Sequence, residues 1–278
     1  MSAERKFWIN DPDGKLEWVA LSSPLDLIKD MPRKTPKTWR GMPSADKLLK
    51  EWEDVADFLN RRCKLTVLPV ASNHRYDGMF ARDFGTVILD RLYLAASDAP
   101  SRRTEQLAVM TALMMQGIEY EYIPSNLTSE GADFIPIGGR TWAAGIGGRT
   151  CERAVRHLRR ASGVEIRTCR KAPDKIPQHL LGGNRIVGGW LYHMPGAEHV
   201  PGFDDQTIEV PYESEVRDKL SMNWLTLGPA EVLMCDDAPQ TKALLESRGI
   251  VAHTLSMREI RKMAGGFACL TLPLRRSS

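Results

Sequence analysis

Hydrophobic and polar positions alternate along the chain with two periods, and each change of period marks an element. Residues 16–21 (LEWVAL) read as a strand, and a Pro-rich stretch follows to about residue 43. Ser44 stands where a helix cap belongs, and Leu48, Leu49, Trp52, Val55, Ala56 and Leu59 then share one face of a helix over 45–61. KLTVLPV (64–70) and TVIL (86–89) read as short strands on either side of a polar loop. Ser101 opens a second helix, apolar from Leu107 to Met115 and ended by Gly117. A strand over 118–123 follows. DFIPIGG (133–139) and RTWAAGIG (140–147) read as two strands joined by a Gly-rich turn, then a basic helix over 150–162 and a strand over 164–168. The pattern continues with a paired segment near 185–193, a surface excursion over 194–210 and a helix over 213–220. Strands at 223–227 and 231–235, a helix over 238–248, a strand at 250–255, a helix over 256–263 and a last strand ACLTLPL (268–274) complete it.

This alternation predicts an α/β protein. Hairpins are mixed with the helices, so a doubly wound parallel sheet fits poorly. GGRT occurs at 138–141 and again at 147–150, which reads as a local hairpin feature rather than a domain repeat.

Composition narrows the classes. The chain has 278 residues, 42% hydrophobic and 26% charged, a balance that excludes a disordered chain or a disulfide scaffold. The length suits one large domain or two small ones. The 38 basic and 35 acidic residues are scattered rather than gathered into a stripe, which argues against nucleic acid as partner. No apolar run reaches the roughly 18 residues of a membrane-spanning helix, and the first residues lack an apolar signal region. A cytoplasmic protein without membrane contact is the expectation. The five cysteines include no CxxC pair, which argues against a zinc knuckle or redox couple and fits a reducing compartment.

Individual chemical motifs are weak. GGRTWAAGIGGRT contains neither a phosphate-binding GxxxxGK[ST] nor a dinucleotide GxGxxG, so its glycines read as hairpin turns. No histidine pair has HExxH spacing, and GxSxG is absent. Cys269 stands apart from the other cysteines because MAGGFA precedes it and a strand follows, so flanking glycines let the backbone approach a ligand. A buried structural cysteine is nevertheless the commoner fate. Asp77 and Asp83 lie just before one strand and Glu130 and Asp133 just before another. Carboxylate pairs can clamp a planar cation, and they also serve as ordinary turn residues.

Taken in order, these pieces resemble the guanidino-group-modifying enzymes: arginine deiminase, dimethylarginine dimethylaminohydrolase and the arginine amidinotransferases. F-x-R-D appears as Phe80-Ala81-Arg82-Asp83, P-S-R-R-x-E as Pro100 to Glu105, and E-G-G-D as Glu130-Gly131-Ala132-Asp133. Arg149-Thr150, His179-Leu180 and the glycine-rich approach to Cys269-Leu270-Thr271 follow. The resemblance implies one α/β-propeller catalytic domain over 1–278, with five ββαβ-type modules around a central pocket. It implies covalent catalysis by Cys269, with His179 as acid and then base and Glu130 holding His179 or a substrate nitrogen. It implies Asp77, Asp83 and Asp133 for the substrate's guanidinium side, and Arg102 and Arg149 for its α-carboxylate. No metal or organic cofactor is implied, the partner is a small guanidino substrate, and the pattern leaves room for a homodimer.

Within the superfamily the residues point in two directions. Leu181 stands where deiminases and amidinotransferases carry an Asp two residues after the histidine, and Asp77 occupies the earlier position used by dimethylarginine hydrolases. Those features resemble the dimethylarginine hydrolases most and favour an N-methylated arginine, released as citrulline and an amine. Arg82 is deiminase-like, and Ala132 in place of the second Gly is closer to amidinotransferases. Arginine deiminase, amidinotransferase and, more distantly, a non-catalytic guanidine-binding protein stay open.

Overall fold

The computed structural model describes residues 6–70, 77–98, 102, 105–170 and 179–277. Among them the strands form five three-stranded sheets. The chain enters at β1 (Lys15–Ser22) and passes α1 (Leu25–Lys29) and α2 (Ala45–Asn60) to β2 (Lys64–Leu68), which lies parallel to β1. The second module is β3 (Gly85–Ile88), antiparallel to β4 (Arg91–Leu94), then α3 (Glu105–Met115) and β5 (Glu121–Tyr122), parallel to β4. The third repeats the plan with β6 (Phe134–Gly138), β7 (Thr141–Ile146), α4 (Glu152–Ser162) and β8 (Glu165–Arg170). A helical turn, α5 (Leu180–Gly183), leads into β9 (Asn184–Val187), β10 (Trp190–His193) and β11 (Thr207–Glu209). After α6 (Glu213–Asp218) come β12 (Leu225–Gly228), β13 (Glu231–Cys235), α7 (Pro239–Glu246) and β14 (Val251–Leu255). Finally α8 (Arg258–Lys262) and the helical turn α9 (Phe267–Leu270) deliver β15 (Thr271–Ser277) antiparallel to β1, so the first module is completed by the end of the chain. This is the five-module α/β propeller that the resemblance implies.

Amphipathic helices shield the modules. α4 buries Ala154, Val155 and Leu158 and faces its charges outward, and Gly163 ends it in the left-handed region at φ 65°. α2 buries Leu48, Val55 and Leu59, and also Glu51. That carboxylate accepts the Glu259 and Ile260 amides at 2.9 and 3.0 Å, at the start of α8. Apolar clusters sit between neighbouring modules: Tyr93, Phe134, Trp142 and Ile166 join the second to the third, and Ile135, Cys169, Ile186 and Leu191 join the third to the fourth.

The innermost strands β3, β6, β9, β12 and β15 surround the axis, and most of them are too short to show a period. Each is entered by a tight turn. A 3₁₀ turn over Ala81–Phe84 precedes β3 and another over Gly131–Asp133 precedes β6, while α5 precedes β9, a turn at 220–223 precedes β12 and α9 precedes β15. These five equivalent turns end on one side of the ring.

Several elements differ from the pattern-based reading. β4 and β11 are additional strands, β11 lying inside the presumed excursion over 194–210. The strand expected at 118–123 shrinks to β5. Ser44 occupies the N-cap of α2 without a side-chain cap, and its amide donates to Glu259 Oε2 at 2.6 Å instead. Cys269 lies in α9 rather than at a strand start, because α9 completes a helical turn before the chain extends. The Ser101 cap and residues 100, 101, 103 and 104 of the arginine motif fall outside the described residues. Glycine in the β6–β7 turn behaves as expected, with Gly138 at φ 121° and Gly139 at φ 59°.

Candidate active site

The five turns that enter the inner strands converge on a cavity of about 350 Å³. Asp83, Glu130, His179, Asn223 and Cys269, one from each turn, all line it, and Asp77, Arg102 and Arg149 stand around them. Two glycine-determined approaches make this possible. A Cβ on Gly131 would overlap the carbonyl oxygens of Gly85 and Arg82, so only glycine lets the 3₁₀ turn bearing Glu130 press against the one bearing Asp83. A Cβ on Gly266 would stand 2.6 Å from the Asn223 side chain, so glycine also sets the approach of α9 to Asn223.

Glu130 anchors the acidic side. Its Oε2 meets His179 Nε2 at 2.5 Å, its Oε1 accepts a short hydrogen bond from Ser97, and Arg149 Nη1 lies 3.8 Å from the same oxygen. Burial opposes its charge, yet the hydrogen bond and charge of His179, with Arg102 and Ser97, hold the carboxyl down at about 2. Asp83 Oδ1 lies 3.9 Å from His179 Nε2. Burial pushes its carboxyl above the ordinary value, against the pull of Arg102 and His179. For His179 burial disfavours the imidazolium, but Asp83, Glu130 and Asp133 outweigh it and raise the imidazole above its ordinary value. Ligand atoms of Asp83, Glu130 and His179 all lie within 4.8 Å of one another, close enough to share one cation, organic or metallic.

Two further residues expected at the site, Arg102 and Asp133, are both buried. Arg102 lines the cavity, but its guanidinium is 9% exposed and pairs with Asp83 at 2.8 Å and Glu105 at 3.1 Å. A buried cation needs compensation, and Asp83 and Glu105 supply it for Arg102 at the cavity wall. Asp133 is fully buried and lies outside the cavity lining. It accepts Thr150 Oγ1 at 2.7 Å and the Leu180 amide at 3.1 Å, and thereby fixes the backbone beside His179.

The sulfur side contains groups that no motif signalled. Asn223 Nδ2 donates to Cys269 Sγ at 3.0 Å, and Asn223 Oδ1 accepts the Ala268 and Cys269 amides at 3.1 and 3.3 Å. Burial and Asp83 push the Cys269 thiol up, while the backbone at Gly266, Asn223 and Arg185 act in the opposite sense. Arg82 and Arg185 also line the cavity. Burial lowers both, Arg82 to about 10 and Arg185 to about 9, and both gain from negative charge on the Cys269 sulfur. Arg40, at the rim, donates to the Arg217 carbonyl at 2.7 Å.

Comparison with known proteins agrees with this architecture. The family profile "Arginine deiminase" matches residues 205–276. An uncharacterized protein of Aeropyrum pernix is 32% identical over 184 residues, covering 65% of this chain and 66% of that protein. YkgA of Bacillus subtilis is 26% identical over 272 residues, covering 95% of this chain and 93% of that protein. Among solved structures, the N-terminal domain of ArgZ, an arginine dihydrolase of cyanobacteria, superposes with a TM-score of 0.79 at 17% identity, covering 93% of this chain and 98% of that one. The chain spans 41% of full-length ArgZ. A dimethylarginine dimethylaminohydrolase superposes with a TM-score of 0.73 at 21% identity, covering 92% of this chain and 99% of that one. No described helix is long and apolar enough to cross a membrane. Five modules around one axis, together with these likenesses, show that the chain has the five-module α/β-propeller fold of these solved structures.

Proposed function

We propose that the protein is a hydrolase acting at the guanidinium carbon of arginine or an N-substituted arginine. The observation that carries this reading is the convergence of Cys269, His179, Glu130 and Asp83, from four separate modules, on one cavity. Asp83 and Asp77 receive the cationic headgroup, and Arg149, partly exposed at the rim, receives the α-carboxylate. A bound guanidinium offsets the charge of Asp83, which relieves one of the two causes holding the Cys269 thiol up. The thiolate then forms a C–S bond to the guanidinium carbon. The C–N bond breaks, and His179, kept protonated by its carboxylates, gives its proton to the departing nitrogen. Neutral His179 takes a proton from water, whose oxygen attacks the thiouronium carbon. Cleavage of the C–S bond returns the thiolate and leaves a ureido product. The proposed cycle uses the chain's own groups throughout.

Leu181 and Gly182 line the cavity where a further carboxylate stands in deiminases, which supports an N-methylated arginine as substrate. The arginine dihydrolase among the structurally similar proteins supports unmethylated arginine as the second reading. A panel of guanidino compounds, assayed for ureido product and released amine, tests both. Citrulline with methylamine or dimethylamine is expected, and ammonia from arginine alone selects the second reading. Transfer of the amidino group to an added amine selects an amidinotransferase. Cys269→Ser is expected to lose at least about a thousandfold in turnover while keeping its melting temperature. Full turnover in Cys269→Ser overturns the covalent mechanism, and turnover of no guanidino compound leaves only the binding protein.

A further inference from the structure

We propose that the propeller axis holds a second binding site, for one small inorganic oxyanion, between the guanidinium groups of Arg82, Arg185 and Arg276. A second cavity of about 70 Å³ lies there, sharing Arg82, Leu181, Arg185 and Ala268 as a common wall with the first. That is the volume of about two waters at roughly 30 Å³ each, which suits an ion the size of bicarbonate or phosphate. Every inner strand contributes to its wall: Thr86 from β3, Ile135 from β6, Arg185 from β9, Thr226 from β12 and Thr271 from β15. Among the described residues three arginines line it, and no Asp or Glu does.

The three cations are met by carbonyl oxygens rather than by counter-ions facing the cavity. Arg185 donates to the Met222 and Asn184 carbonyls at 2.9 and 3.4 Å, and Arg276 to those of Gly14 and Thr226, both at 2.7 Å. Arg82 donates to the Phe134 carbonyl at 3.4 Å, while its Nε is buried without a hydrogen-bond partner. Arg185 and Arg276 are 4% and 6% exposed. The acidic groups that act on them stand outside the cavity wall: Asp83 near Arg82, and Asp13 and Asp11 near Arg276. Burial, with repulsion from Arg82, lowers Arg185 to about 9 and Arg276 to about 10, the behaviour of cations short of negative charge. Planar guanidinium forks and threonine hydroxyls match an oxyanion, which can accept several such donors at once.

Calorimetric titration of the full chain with inorganic phosphate, sulfate, bicarbonate and chloride, at matched ionic strength, tests the site. Saturable one-to-one binding of an oxyanion is expected, with a melting temperature that rises and levels off. Binding should weaken by about tenfold or more in Arg276→Gln, the scale of a charged hydrogen bond, and persist in Arg149→Ala. Should Arg276→Gln fail to fold, a selenate soak is independent of any variant and should give anomalous density between the three guanidinium groups. Equal, non-saturating effects of all four salts overturn the proposal. So does preference for chloride, density elsewhere, or binding lost in Arg149→Ala and kept in Arg276→Gln, which would place the ion in the catalytic cavity.

Discussion

Asn223 connects the backbone of Cys269 to its sulfur: one amide side chain receives two N–H groups of α9 and donates to Sγ. A donor to sulfur favours the thiolate, so Asn223→Ala should move the pH profile of Cys269 alkylation by iodoacetamide upward. Turnover should fall about 10- to 100-fold, the scale of a hydrogen bond to a charged group. An unmoved alkylation profile would remove Asn223 from the sulfur's environment. Glu130 supports a second expectation. Its carboxyl is lowered from 4.5 to about 2 in the folded chain, so its ion pairing stabilises the fold above pH 4.5 and is lost as pH falls towards 2. Denaturant titrations should therefore show wild type losing more stability than Glu130→Gln across that acid window, and parallel losses would contradict the assignment. Of these residues, Cys269, His179, Glu130 and Asp83 were legible because each sits in a short motif. Asn223, Arg185 and the electrostatic influence of the sulfur on Arg82 were not. Their roles arise from approaches across the ring, and Asn223 lies in a turn whose sequence, SMNW, carries no signal. The motifs that contain Arg102 and Asp133 were legible, but their ion pairs and hydrogen bonds to Asp83, Glu105, Thr150 and Leu180 were not, since these join segments distant in sequence or depend on burial.

At the scale of elements, the site depends on turns more than on strands. The two 3₁₀ turns bearing Asp83 and Glu130 touch because Gly131 has no side chain. Gly131→Ala should destabilise the protein by about 3 kcal/mol, as forced overpacking does, and should depress activity along with stability. Urea unfolding measures this, and a loss below a few tenths of a kcal/mol would mean that the backbone yields easily. Long elements were legible: the 16 residues of α2 repeat the helical period several times. β4 has four residues and β11 three, too few for an alternation to declare itself. The same brevity hid α9, where the four residues FACL read as the beginning of the following strand.

At the scale of the molecule, closure of the ring joins the two ends of the described chain. β15 pairs with β1 from Lys15↔Ser277 to Leu21↔Thr271, and Arg276 ties this module to the Gly14 and Thr226 carbonyls. Removing residues 271–277 should abolish the cooperative thermal transition, because β1 loses its antiparallel partner and Leu272 and Leu274 leave the core they share with Phe84 and Leu92. Calorimetry checks this, and a sharp transition in the truncated protein would show that the ring holds without its last strand. Five modules were expected from the family resemblance and the length, whereas the pairing of β15 with β1 has no local signature. That pairing also orders events in the cell. The strand that completes the first module follows the other four modules along the chain, so β1 and β15 can pair only after the residues between them have been made.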